Sequence, residues 1–155
     1  MTSFRYVPME TAAADRFRQT GLDDGGNALR RSHADHPLPC RHCLQDAHIG
    51  EVVLLGSYRF GRPYGIYGGP SPIFVHARPC TPFDRGDAVP EIVRNRLVSV
   101  RVYDADDQMI YPLGMVCPGT EVENPVSRSF EDPRTAYVNI HTAGPGCFLC
   151  RAERG

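Results

Sequence analysis

The sequence predicts an α+β fold: one compact domain over residues 1–155, built on a mainly antiparallel sheet with two or three short helices. Three observations carry this. Val98, Val100 and Val102 alternate with Ser99, Arg101 and Tyr103, and Val138 and Ile140 alternate with Tyr137, Asn139 and His141, the period-two pattern of strands. Met9, Ala13 and Phe17 recur at helical spacing. Fourteen prolines and fifteen glycines predict a loop-rich chain of short elements.

In chain order, Phe4 and Tyr6 lie in a short opening strand that stops at Pro8. The helix carrying Met9, Ala13 and Phe17 ends at Gly21, a C-cap residue, and Asp23 to Asn27 form a turn. Ala28 to His33 reads as a further strand. Glu51 to Phe60, with four consecutive aliphatic residues from Val52 to Leu55, reads as a strand covered on both faces. Gly61 to Ser71 is a glycine- and tyrosine-rich loop before a strand at Ile73 to Ala77, and its glycines match neither a dinucleotide fingerprint nor a phosphate loop. Asp87 to Arg96 contains a short helix entered at Pro90, and Leu97 to Tyr103 a strand whose hairpin partner is Met109 to Tyr111. A helix buries Val126 and Phe130, with Thr120 or Asn124 as its N-cap, and ends at Asp132-Pro133. Ala136 to His141 and Cys147 to Ala152 complete the sheet.

Composition excludes several classes of chemistry. A chain of this length buries a core without disulfides or metals. The formal charge of −1, with no basic run, gives no basis for nucleic-acid binding. All seventeen basic residues are arginine, so no lysine-dependent Schiff base or phosphate-loop lysine is available. No stretch has the roughly 20 apolar residues of a membrane helix, and Met1 to Phe17 lacks a signal-peptide core. The expected location is the cytoplasm, where six cysteines stay reduced. A homodimer is compatible with the sequence but not indicated by it.

Four blocks, PCRHCLQDAHIGEVVLL (Pro39 to Leu55), GPSPIFVHARPC (Gly69 to Cys80), LVSVRVYDA (Leu97 to Ala105) and DPRTAYVNIHTAGPGCFLCRAER (Asp132 to Arg154), resemble a bacterial domain-of-unknown-function family, DUF1203. The resemblance implies one compact domain and no assigned activity. It also implies that cysteine is not universal at the positions of Cys43 and Cys150.

The cysteines are the main chemical signal. Cys40 and Cys43 form one C-x-x-C pair, and Cys147 and Cys150 the other. Two such pairs can fill the four corners of a tetrahedral zinc site, although their separation far exceeds the loop of a zinc ribbon. Two points count against that set. On a regular strand, Cys147 and Cys150 point to opposite faces. Neither pair is followed by the glycine that often closes a metal-binding turn: Leu44 and Arg151 stand there. Cys40-Arg41-His42-Cys43 also resembles a redox dithiol, but Pro37 and Pro39 precede it where thioredoxin-like centres have a strand opening into a helix. His42 is an alternative ligand. Cys80 and Cys117, isolated beside prolines, read as packing residues.

The leading expectation is therefore structural zinc held by Cys40, Cys43, Cys147 and Cys150, because four protein ligands leave no open position for substrate. A different class, a small-molecule-binding protein or enzyme, would use Arg41, His76 and His141 in one polar pocket. A thiol redox sensor is the third. No H-E-x-x-H or G-x-S-x-G motif is present. The polar faces carrying Arg101, Tyr103, Tyr137, Asn139 and His141 read as solvated unless their strands gather them over a ligand.

Overall fold

The computed structural model describes residues 2–155. Its architecture is α+β, as the periodicities predict. The main sheet has five antiparallel strands in the order β1 (Phe4–Val7), β10 (Phe148–Arg154), β9 (Thr135–Thr142), β7 (Leu97–Asp104) and β8 (Met115–Pro118). A second antiparallel sheet runs β2 (Arg30–His33), β5 (Val52–Tyr58), β6 (Ser71–His76), and β3 (Leu38–Pro39) pairs with β4 (Asp46–Ala47). Three α-helices complete the described residues: α1 (Thr11–Thr20), α2 (Glu91–Arg94) and α3 (Glu123–Glu131). No described helix is long and apolar enough to cross a membrane.

Burial follows the alternation. Val98, Val100 and Val102 of β7 and Val138 and Ile140 of β9 face one core, closed by Ile92 and Val93 of α2 and Val126 and Phe130 of α3. A second core lies between α1 and the smaller sheet, where Ala13, Ala14 and Phe17 meet Leu54, Tyr58, Ile73 and Val75. Gly21 ends α1 at φ 67°, its N–H donating to the Phe17 carbonyl, a backbone conformation that glycine adopts without the penalty a Cβ brings.

Three expectations change. The hairpin partner of β7 is β8, whereas Met109 makes only an isolated bridge to Tyr103. Neither Thr120 nor Asn124 caps α3 with its side chain; a 3-10 turn at Gly119–Glu121 leads in, and Pro125 sits in the first turn, where its missing N–H costs no intrahelical bond. The polar face of the main sheet is also covered rather than solvated. Arg101 pairs in register with Asn139, and Tyr103 with Tyr137, yet Tyr103, Tyr137, Asn139 and His141 are all buried. The guanidinium groups of Arg62 and Arg151 each lie over the Tyr137 ring, 4.8 Å from its centre.

Candidate metal centre

The stretch Cys40 to Cys43 is the turn between β3 and β4. Its backbone closes through Leu44 N–H to the Cys40 carbonyl at 3.0 Å, and Cys40 N–H donates to the Gln45 carbonyl at 3.1 Å. The closure requires a left-handed residue after the second cysteine, and Leu44 takes that role at φ 57°. A non-glycine residue there costs roughly 1–2 kcal/mol. The Leu44 side chain is fully buried in the main core, which offsets the cost by about 1.5–3 kcal/mol of apolar burial.

The turn docks on β6. Arg41 N–H donates to the Phe74 carbonyl at 3.0 Å, and Cys40 bridges Phe74 in parallel fashion. Two residues further along β6 stands His76, and the chain leaving that strand carries Cys80. Ligand atoms of Cys40, Cys43, His76 and Cys80 therefore all lie within 4.8 Å of one another. Cys40 Sγ is 3.9 Å from Cys80 Sγ, and Cys43 Sγ is 3.6 Å from His76 Nδ1. Cys40 is completely buried; the other three are half-buried and border a cleft of about 530 Å³.

A surrounding layer of donors faces the sulfurs. His76 N–H donates to Cys40 Sγ at 3.4 Å, and Arg18 of α1 donates through Nη2 to Cys80 Sγ at 3.3 Å. His42 Nδ1 lies 3.2 Å from Cys80 Sγ and its Nε2 lies 2.8 Å from Thr11 Oγ1. With hydrogen on Nδ1, His42 donates to the sulfur while Nε2 accepts from the threonine hydroxyl. The outward nitrogen of His76, Nε2, stands 3.6 Å from a Glu51 carboxylate oxygen. Hydrogen bonding within the cluster, from Cys40 and Cys43 foremost, pulls the Cys80 thiol far below its ordinary value, while the same contacts push Cys43 up. His76 is pushed up to about 10 by Cys40 and Cys80, against the opposing effect of burial.

The four-cysteine set does not assemble. Among the described residues, Cys40 and Cys43 join His76 and Cys80, not Cys147 and Cys150. Cys150 is fully buried in the main core beside Leu149 and Ala152, where burial pushes its thiol up to about 12. Cys147 precedes β10 and lines a different cleft. Nor do Arg41, His76 and His141 share a pocket. His76 belongs to the thiol cluster, Arg41 lines the cleft with Cys147, and His141 lies against Phe60 and Phe148, its Nδ1–H donating to the Gly146 carbonyl at 2.9 Å. His42 stands behind the ligands rather than among them. Cys117 is a core residue, as expected, whereas Cys80 is not. The overlooked signal is the spacing His76-x-x-x-Cys80, which resembles the second half of a zinc-finger ligand pattern.

Residues 37–154 match the family model described as protein of unknown function (DUF1203). The chain belongs to the DUF1203 family. The match spans the β3–β4 turn, β6 and the segment carrying Cys80, so all four clustered side chains lie within the DUF1203 region. No curated protein and no solved structure matches the chain.

Proposed function

We propose that this DUF1203 protein carries a structural zinc ion on Cys40, Cys43, His76 and Cys80. The observation that carries the reading is the spacing of the donor atoms. A tetrahedron with Zn–S of about 2.3 Å and Zn–N of about 2.0 Å has edges of about 3.5 Å between sulfur and nitrogen and about 3.8 Å between sulfurs. The separations, 3.9 Å between the Cys40 and Cys80 sulfurs and 3.6 Å between Cys43 and His76, lie close to those edges. Three thiolates and an imidazole fill all four positions, which assigns the ion to holding the β3–β4 turn against β6 rather than to substrate. Donors on the sulfurs and a carboxylate on the outward His76 nitrogen are the outer layer such sites carry. Six free cysteines support a reducing, cytoplasmic location.

Elemental analysis of the purified chain tests this. One zinc per chain is expected, falling well below one in Cys80→Ser and His76→Ala, and unchanged in Cys150→Ser. Stoichiometric zinc that survives Cys80→Ser and is lost in Cys147→Ser would refute the proposed ligand set.

A second reading, a thiol redox sensor, draws support from the half-buried sulfurs of Cys43 and Cys80 beside an open cleft. A Cys40–Cys80 disulfide, found by peptide mass mapping after mild peroxide and reversed by a thiol reductant, is its expected signature.

A further inference from the structure

The cleft that Arg41 and Cys147 line is separate from the one that Cys43, His76 and Cys80 border. Arg41 is the largest of the fully buried side chains, 2% exposed. Its Nε donates to the Phe148 carbonyl and its Nη1 to the Pro39 carbonyl, both at 2.7 Å. Nη2 has no hydrogen-bond partner, and no carboxylate pairs with the guanidinium, among the described residues. An unpaired buried cation is costly, and a protein rarely leaves one without a function for it.

Arg41 lines a cleft of about 670 Å³, within the range of small-molecule sites. The walls are mainly apolar, with Pro37, Leu38, Leu55 and Phe74 among them. A second cation there, Arg96, is already neutralised by Asp46 at 2.7 Å. The cleft thus holds one cation without a carboxylate partner in a mainly apolar lining. We propose that it binds a small monoanionic carboxylate with an apolar body, the carboxylate on Arg41 Nη2 and the body against Leu55 and Phe74. Phosphate-like dianions fit poorly, because one free guanidinium cannot balance two charges. Cys147, which also lines the cleft, gives the site a chemical reporter.

The test uses 4-phenylbutyrate and its neutral amide as probes on the 155-residue chain, followed by amide chemical shifts and by alkylation of Cys147 with iodoacetamide. The carboxylate is expected to bind saturably, to shift amides around Leu55 and Phe74, and to slow Cys147 alkylation. The amide is expected to bind roughly tenfold or more weakly, since a charge-assisted bond is lost. Arg41→Met should abolish the preference, but it also removes the ties to Pro39 and Phe148 and is open to misfolding. Leu55→Glu therefore carries the test: a carboxylate placed on the wall should repel the probe and weaken its binding by a similar factor while the fold remains. No saturable binding, equal binding of acid and amide, or unchanged binding in Leu55→Glu would each overturn the proposal.

Discussion

Arg18 Nη2 stands 3.3 Å from Cys80 Sγ, and Nε of the same guanidinium donates to the His76 carbonyl at 3.0 Å. One side chain from α1 thus reaches two members of the cluster, and its charge would offset the negative charge of three thiolates in the proposed zinc site. Arg18→Met should keep the fold and the metal stoichiometry but raise the rate of zinc loss to a chelator about tenfold or more, as outer-layer changes do. Arg18→Lys should restore part of the effect. Chelator-competition kinetics check this, and an unchanged rate would show that the guanidinium only packs.

Metal removal should act locally. The β3–β4 turn is held on one side by β6 and on the other by Cys80, so chelation should speed hydrogen exchange at the amides of Leu44 and Arg41. Amides of β7 should be little affected, since their partners β8 and β9 lie in the other sheet. Stability should also become dependent on free zinc, because the ion binds the folded chain preferentially.

His141 should make the fold acid-sensitive. Burial, foremost, and the neighbouring Arg101 lower its value to about 4 from an ordinary 6.5. Between those values the unfolded chain binds a proton that the folded chain refuses. The contribution is fully present above about pH 6.5 and is lost as pH falls towards 4. Its size is on the order of 3 kcal/mol. Urea unfolding across this range in the parent and in His141→Gln should show a shallower dependence in the variant. Ring-proton NMR of the parent should place the titration well below 6.

Tyr6 offers a gain. Its ring packs edge-on against Phe4 and its hydroxyl is buried without a hydrogen-bond partner. Removing an unsatisfied buried group while keeping the ring should stabilise, so Tyr6→Phe is expected to add about 1 kcal/mol by chemical denaturation. A loss would reveal a water-mediated partner.

Much of the fold is legible because burial in it follows simple periods. Alternation in β7 and β9 and helical spacing in α1 and α3 report faces buried against one or the other of the two cores, and those elements stand within a few residues of their predicted bounds. What the sequence withholds is adjacency. Met109 to Tyr111 is near β7 in sequence and polar-turn-linked, yet the strand that pairs is Met115–Pro118, after a proline-containing turn that carries the chain back. The candidate metal centre shows the same division. The turn at Cys40 and Cys43 is local and therefore readable. Its partners depend on which strand it docks against, and that is decided by backbone bonds to Phe74, which no side-chain pattern encodes. The pair Cys147 and Cys150 has the more conspicuous spacing, but β10 carries Cys150 into the apolar core, where a thiolate is unwelcome.

The family match begins at residue 37, whereas β1, α1 and β2 precede it. The first two are not ornaments on the matched stretch. Val7 and its neighbours complete the backbone pairing of β10, and Thr11 and Arg18 stand over the sulfur cluster. A fragment trimmed to the matched boundary would therefore bare the edge of β10 from Arg151 to Arg154 and unroof the thiols together. Such a fragment should self-associate and oxidise rather than behave as a smaller copy of the parent: contacts that complete β10 and cover the thiols come from outside the stretch recognisable by kinship.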